Sequence, residues 1–347
     1  MMFKLIRHLV FIFNLLVLLA LMLSYISSEV NPMVFPYLHF FGLGYLFWLI
    51  GTIIFCIFWM FSKFKYLIVN VFVLFIGWNT HQKTFGFNTE NSNKNGLQIA
   101  SFNSMGLGQE VQGNYEDIIA YVEKEKIDIL AILEYKSKND RTPPSWYSQF
   151  IPTKKDGVLR PGIQLLSKYP IEKASKIHFD KTIGNMAVRF DVNVQGKTIA
   201  IFALHLETNQ INHKDYQKIK SPSLHSSYLS STKKILQKLS RQVKTRSEQS
   251  KAVIEEIKKV EGPFLVLGDF NDVPTSFVYQ QFTPYTSDAF LKRGTGFGPT
   301  YLKPFPTFRI DYILYSKEFE CNRYFSTKEI YSDHKLVGAN LQLHGLH

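Results

Sequence analysis

The stretch VLGDFNDVPTS (residues 266–276) decides how the rest of the chain is read. The apolar run Phe264-Leu265-Val266-Leu267 has the length and composition of a buried strand. It stops at Gly268, and Asp269, Asn271 and Asp272 follow within four positions. A turn accounts for such residues, because glycine, aspartate and asparagine all favour turns. Half of an active site accounts for them equally well. Other strand ends of the chain separate the two readings.

From Leu97 onward, strand-like and helix-like segments alternate. Leu97–Phe102 alternates apolar and polar residues. Ile118, Ile119 and Val122 give Tyr115–Glu125 a helical spacing. Ile127–Leu133, Gly162–Leu166, Met186–Val194 and Thr198–Leu204 read as strands, with a hairpin turn at Gln195-Gly196-Lys197. Tyr228–Val260 reads as one or two helices, and Arg309–Tyr315 and Leu336–Leu343 close the set of strands. Many strands with few helices between them predict two packed sheets with helices outside, an α+β layered sandwich.

Polar side chains sit at six of these strand ends. Asn103 follows Phe102, Glu134 ends one strand and His205 ends another. Asp269 and Asn271 follow the opening run, Asp311 starts a strand, and Asp333-His334 precedes the last one. Taken singly, each has an ordinary structural explanation: a turn, a loop cap, a core histidine. Jointly, they place hydrogen-bonding and ionisable groups on one edge of a packed sheet, where chemistry usually sits.

The chemistry of the set is that of phosphate esters. Glu134 and Asp333 are hard oxygen ligands for Mg²⁺ or Mn²⁺, and Asn103 offers a neutral oxygen beside them. Such a cation polarises a phosphoryl oxygen during in-line displacement. Asp311 is the candidate carboxylate to orient His334, which then serves as base or phosphate stabiliser. Asp269 suits orientation or deprotonation of the attacking water, Asn271 a hydrogen bond to the phosphate, and His205 protonation of the leaving oxygen. Asp272, Pro274 and Ser276 are read as shaping the loop. No HExxH and no cysteine cluster is present, which argues against a structural zinc site.

The blocks Ser101-Phe102-Asn103, Ile132-Leu133-Glu134, Leu204-His205-Leu206, Gly268-Asp269-Phe270-Asn271-Asp272, Arg309-Ile310-Asp311-Tyr312 and Ser332-Asp333-His334 resemble, in order, those of the endonuclease/exonuclease/phosphatase superfamily. The resemblance covers about residues 97–343. It implies the four-layer α/β sandwich and a divalent-metal phosphodiesterase or phosphatase. Glu134 would be the metal ligand with Asn103 and Asp333 near it, and Asp311 and His334 would form a dyad. His205 matches a histidine of the deoxyribonuclease and sphingomyelinase branches that exonuclease III-like enzymes lack. The substrate stays open: a lipid headgroup, a small phosphodiester or phosphomonoester, or DNA or RNA. An inactive membrane-bound binding or scaffold protein is the alternative of another class.

The first eighty residues differ from the rest. Of 347 residues carrying a formal net charge of +12, this region has only Lys4, Arg7, Glu29, Lys63 and Lys65 as charges. Residues 9–27 and 34–61 reach the roughly 20 residues that cross a bilayer core. Residues 64–79 are a shorter third candidate. A cleaved signal peptide fits the first run less well, since Ser24-Tyr25-Ile26-Ser27 is a poor small-residue cleavage site. The expected organisation is a membrane region over 1–80 with three spans, a linker over 81–96, and a catalytic domain over 97–347. The basic flanks place the N-terminus in the cytoplasm. Three spans then put the catalytic domain outside the inner membrane, and two leave it in the cytoplasm. The resemblance to membrane-anchored bacterial members favours three.

Residues 209–261 hold twelve Lys or Arg against five Asp or Glu. That excess reads either as a solvated helical face or as a patch facing an anionic membrane or substrate. The two cysteines, Cys56 and Cys321, build no disulfide framework.

Overall fold

The computed structural model describes residues 2–88, 95–105, 115–136, 142–155, 158–179, 185–209, 226–302 and 307–345. The chain divides into two compact units. One holds Met1–Thr84, Asn209–Ser247 and Val273–Gln280; the other holds Phe85–Thr208, Glu248–Asp272 and Gln281–His347.

The second unit is the sandwich. Its strands are β1 (Gly86–Phe87), β2 (Leu97–Asn103), β3 (Ile129–Tyr135), β4 (Tyr147–Lys155) and β5 (Val158–Ser167). Next come β6 (Ile171–Ile177), β7 (Met186–Val194), β8 (Lys197–His205), β9 (Phe264–Asp269) and β10 (Ser287–Asp288). The set ends with β11 (Thr295–Gly296), β12 (Asp311–Tyr315), β13 (Phe319–Ser326) and β14 (Val337–Leu343). One six-stranded sheet runs β10-β12-β9-β8-β7-β6 and the other β13-β14-β2-β3-β5-β4. Each sheet is mixed: β8 pairs with β9 and β2 with β3 in parallel, and their other neighbours are antiparallel.

The period of two explains the layers. Ile99, Ile129 and Ala131 of one sheet meet Ile199, Ile201, Leu265 and Leu267 of the other in one buried cluster. The alternate residues Ala100, Phe102, Leu130 and Ile132 face the opposite way, onto Ile118, Tyr121 and Val122 of the helix Tyr115–Lys124. Both faces of β2 and β3 are therefore covered, which is why Ile129–Leu133 of β3 reads as a continuous apolar run.

Three long strands escape the sequence reading: β4, β6 and β13. All three are edge strands of their sheets. Pro152 interrupts β4, and β6, Ile171-Glu172-Lys173-Ala174-Ser175-Lys176-Ile177, has polar residues at four of its seven positions and no strict alternation. An edge strand buries less, so its alternation is weaker and it tolerates proline and charge.

The first unit is helical. Met2–Ile26 forms one helix. The helix expected over residues 34–61 is instead interrupted, as a 3₁₀ turn at Pro36–Leu38, a short helix His39–Leu43 and a helix Tyr45–Ser62. Pro36 starts the first turn, and Gly42 and Gly44 disfavour continuous helix. The third apolar run forms Phe64–Ile76 and breaks at Gly77, and Trp78–Thr84 follows as a further helix inside the stretch expected to begin a linker. By length and composition, the helical stretches Lys4–Ile26 and Tyr45–Ser62 can cross a membrane; the first also fits a signal sequence. Most of the exposed large apolar side chains described in the protein belong to residues 5–78.

Buried polar groups join these helices. Trp59 Nε1 and Asn70 Nδ2 donate to Asn14 Oδ1 at 2.8 and 3.0 Å, and Asn14 Nδ2 donates to Asn70 Oδ1 at 2.9 Å. Within the same unit, Ser27 Oγ donates to Thr275 O and Thr275 Oγ1 to Gly42 O, each at 2.8 Å. The helix Ser226–Ile257 is continuous, with its residues up to Ser247 in this unit and those from Glu248 in the sandwich.

Candidate active site

The strand registers bring the polar ends together. His205 of β8 lies opposite Asp269 of β9, and Asp269 lies opposite Asp311 of β12. Three ionisable groups thus stand side by side on adjacent strands of one sheet. From the other sheet come Asn103 at the end of β2 and Glu134 near the end of β3. Side-chain contacts close the gap: Asn103 Nδ2 lies 2.9 Å from Asp269 Oδ2 and 3.2 Å from Glu134 Oε1.

Local geometry aims these groups. Glu134 has φ of +52° and sits where the β3–β5 register shifts, between Ile132 and Tyr135. Such a bulge re-aims a side chain, and a non-glycine residue held at positive φ is a strain that clusters at functional sites. Gly268 has φ of +134°, and a Cβ there would meet Leu204 O at 2.1 Å. Only glycine lets β9 pass β8 that closely just before Asp269. Asn271, at φ of +51°, turns the chain back so that its N–H donates to Asp269 Oδ1 at 2.7 Å.

Two histidines flank Asp269. His334 Nδ1 meets Asp311 Oδ2 at 2.9 Å, and His334 Nε2 lies 3.7 Å from Asp269 Oδ2. His205 Nε2 lies 3.2 Å from Glu134 Oε1 and 4.0 Å from Asp269 Oδ2. Burial alone would lower the basicity of His334, but the Asp311 and Asp269 carboxylates outweigh it and push its pKa up to about 10. Burial, opposed by His334, raises the Asp269 carboxyl to about 6. Asp333 is raised as well, first by burial and then by repulsion from Glu134, against the pull of His334.

Two acidic groups of the site differ in what neutralises them. Asp269, Asp311 and His334 have ligand atoms within 4.8 Å of one another and are able to hold a metal ion. That cluster already contains a basic imidazole. Asp333 and Glu134 repel each other, and Asp333 Oδ1 is buried with no hydrogen-bond partner among the described residues. An orphaned buried carboxylate oxygen, on a group repelled by a second carboxylate, fits a hard divalent cation.

The eight residues singled out from sequence all belong to this end of the sandwich. Asn271 Nδ2 donates to Leu206 O at 3.0 Å, so one of its two amide hydrogens is engaged by the fold. Several supporting residues carry no sequence signal. Thr300 Oγ1 accepts from the N–H groups of Ile310 and Asp311, both at 3.0 Å. The Tyr301 ring lies 4.9 Å from that of His334. Asn185 Nδ2 donates to Leu206 O at 2.8 Å. Ser332 is different, since it adjoins Asp333-His334: its Oγ donates to Asn103 O at 2.7 Å and accepts from His334 N–H at 2.9 Å.

A family model described as "Endonuclease/Exonuclease/phosphatase family" matches residues 100–334. A second, described only as a domain of unknown function, matches residues 7–84. No curated protein matches the chain. Among solved structures, the human Nocturnin catalytic domain with bound sulfate is 16% identical with a TM-score of 0.52, over 73% of this chain and 95% of that one. A mannosyl-6-phosphatase from Bacteroides thetaiotaomicron is 18% identical with a TM-score of 0.51, over 71% and 99%. A family protein from Leptotrichia buccalis is 15% identical with a TM-score of 0.51, over 71% and 100%. At these identities the likeness is one of fold.

Proposed function

The chain belongs to the endonuclease/exonuclease/phosphatase family, and on that premise we propose that it is a membrane-anchored phosphoesterase dependent on Mg²⁺ or Mn²⁺. Its substrate would be a phosphodiester or phosphomonoester. The observation that carries the reading is the partnerless Asp333 Oδ1, whose carboxyl Glu134 repels, at the strand ends that also present Asp269 and the Asp311–His334 pair.

Glu134 and Asp333, with Asn103 beside them, would hold the ion. When bound, it would supply charge neutralisation at a phosphoryl oxygen. The chain's own residues do the rest. Asp269, with a carboxyl raised to about 6, orients the attacking water and accepts its proton near neutral pH. Asp311 holds His334 by Nδ1, so the imidazolium points Nε2 toward the site and stabilises negative charge on the phosphate. An amide nitrogen carries two hydrogens, so Asn271 has one N–H for the phosphate besides that used by Leu206 O. His205, close to Glu134, donates a proton to the leaving oxygen.

For the anchor, we infer three spans with the catalytic domain outside the inner membrane. Phe64–Ile76 is short, yet it exposes Ile68, Phe72 and Phe75 and is bonded through Asn70 to Asn14. Interhelical amide bonds of this kind join helices within bilayers. A reporter fused to the C-terminus tests the topology, and a cytoplasmic signal overturns three spans.

Full-length chain in detergent micelles with Mg²⁺, assayed on bis-p-nitrophenyl phosphate, phospholipid and plasmid DNA, tests the activity. Turnover of at least one ester, abolished in Glu134→Ala, is expected. No turnover on any, or undiminished turnover in the variant, overturns the proposal.

A further inference from the structure

The helix Ser226–Ile257 changes character along its length. From Glu248 on, its charges are mixed, and just beyond its end Lys258 and Lys259 pair with Glu255 and Glu256 at 2.8 and 2.6 Å. Upstream the anions vanish: no Asp or Glu occurs between Asp215 and Glu248, whereas Lys233, Lys234, Lys238, Arg241, Lys244 and Arg246 all do. Ile235, Ser240, Val243 and Ser247 are buried, while Lys233, Lys234, Leu236 and Arg241 are exposed and Lys244 is half-buried. Among the described residues, none of Lys233, Lys234, Arg241 and Lys244 forms an ion pair. A merely solvated face mixes both signs, as the far end of the same helix does.

This acid-free segment belongs to the compact unit that contains the apolar N-terminal helices. We propose that its cationic face, residues 233–244, lies on anionic phospholipid headgroups. The inference rests on the reading of those helices as a membrane anchor. Its physical basis is charge complementarity: each Lys or Arg near an anionic leaflet contributes about 1 kcal/mol, or about a fivefold change in affinity. Half-exposed Leu236 among the cations, 38% exposed, adds an apolar contact with the acyl boundary. A nucleic-acid backbone is the competing anionic partner.

Full-length chain in nanodiscs of phosphatidylcholine, with or without phosphatidylglycerol, tests this by lysine-acylation footprinting. Lys233, Lys234 and Lys244 should become at least about fivefold less reactive when phosphatidylglycerol is present. High salt should restore their reactivity, and Lys258 and Lys259 should not change. In the triple variant Lys233→Gln, Lys234→Gln, Arg241→Gln, Lys244 should lose its protection while turnover of bis-p-nitrophenyl phosphate is unchanged. Equal reactivity in both discs overturns the proposal, as does protection by DNA but not by phosphatidylglycerol. Coelution with phosphatidylcholine discs reports the anchor separately. A chain that coelutes without lipid-charge dependence overturns this inference alone. One that needs phosphatidylglycerol to coelute at all supports the cationic face and overturns the anchor.

Discussion

Two buried polar clusters, one in each unit, show opposite treatments of the same chemical groups. In the helical unit, Asn14 and Asn70 are 1% and 0% exposed, and they pair with each other and with Trp59. In the sandwich, Asn103, Glu134, His205, Asp269, Asp311 and His334 crowd together, yet Asp333 Oδ1 has no hydrogen-bond partner among the described residues. A buried polar group without a partner costs about 1–3 kcal/mol. A satisfied network joins helices; an unsatisfied one with clashing carboxylates costs stability and is ready for a ligand. On the proposed function, the first is a structural lock and the second a site.

Breaking the site should separate activity from stability. Glu134→Gln removes one of two mutually repelling carboxylates, and kcat on a soluble ester should fall by about 10³-fold, the scale of losing several kcal/mol of charge stabilisation. Its melting temperature should not fall, because repulsion with Asp333 is relieved; a lower melting temperature would make Glu134 structural. Asp333→Asn sharpens the same point through binding. Wild-type chain at Mg²⁺ a hundredfold above Kd should gain about 2.7 kcal/mol of stability. The variant should gain little and melt higher than wild type in EDTA, as thermal unfolding would report.

Breaking the lock should do the reverse. Asn70→Leu leaves Asn14 with an unpaired amide and should cost about 1–2 kcal/mol in denaturation from micelles. Turnover of the soluble ester should be unaltered, and a loss of kcat without a loss of stability would erase the distinction between the clusters. The smallest effect is expected for Ser332→Ala, at about 1 kcal/mol of stability. Its hydroxyl bridges Asn103 O and His334 N–H, so a modest drop in kcat should accompany it.

The candidate site residues were legible along the chain because each block is local: apolar runs lead into Asn103, Glu134, His205 and Asp269, and others begin after Asp311 and Asp333-His334. The supporting shell was not. Thr300 lies eleven residues from Asp311 in a stretch with no periodicity, and its role depends on two backbone N–H groups that only the folded chain brings to its hydroxyl. The strands β4, β6 and β13 were hidden for a related reason, since an edge strand is defined by the neighbour it lacks.

VLGDFNDVPTS contains both kinds of information. By itself it determined a buried strand, a glycine stop and a pair of chemically capable side chains, all consequences of residue type and short-range geometry. The partners were decided by tertiary structure: β8 places His205 beside Asp269 in parallel, β12 places Asp311 there antiparallel, and β2 supplies Asn103 from the other sheet. The stretch also changes unit partway, with Asp272 in the sandwich and Thr275 bonded to Ser27 and Gly42 among the helices. Alternation along a strand is a local property of the backbone. Register and sheet order arise from hydrogen bonds between residues far apart in sequence, so they exist only once the chain has folded.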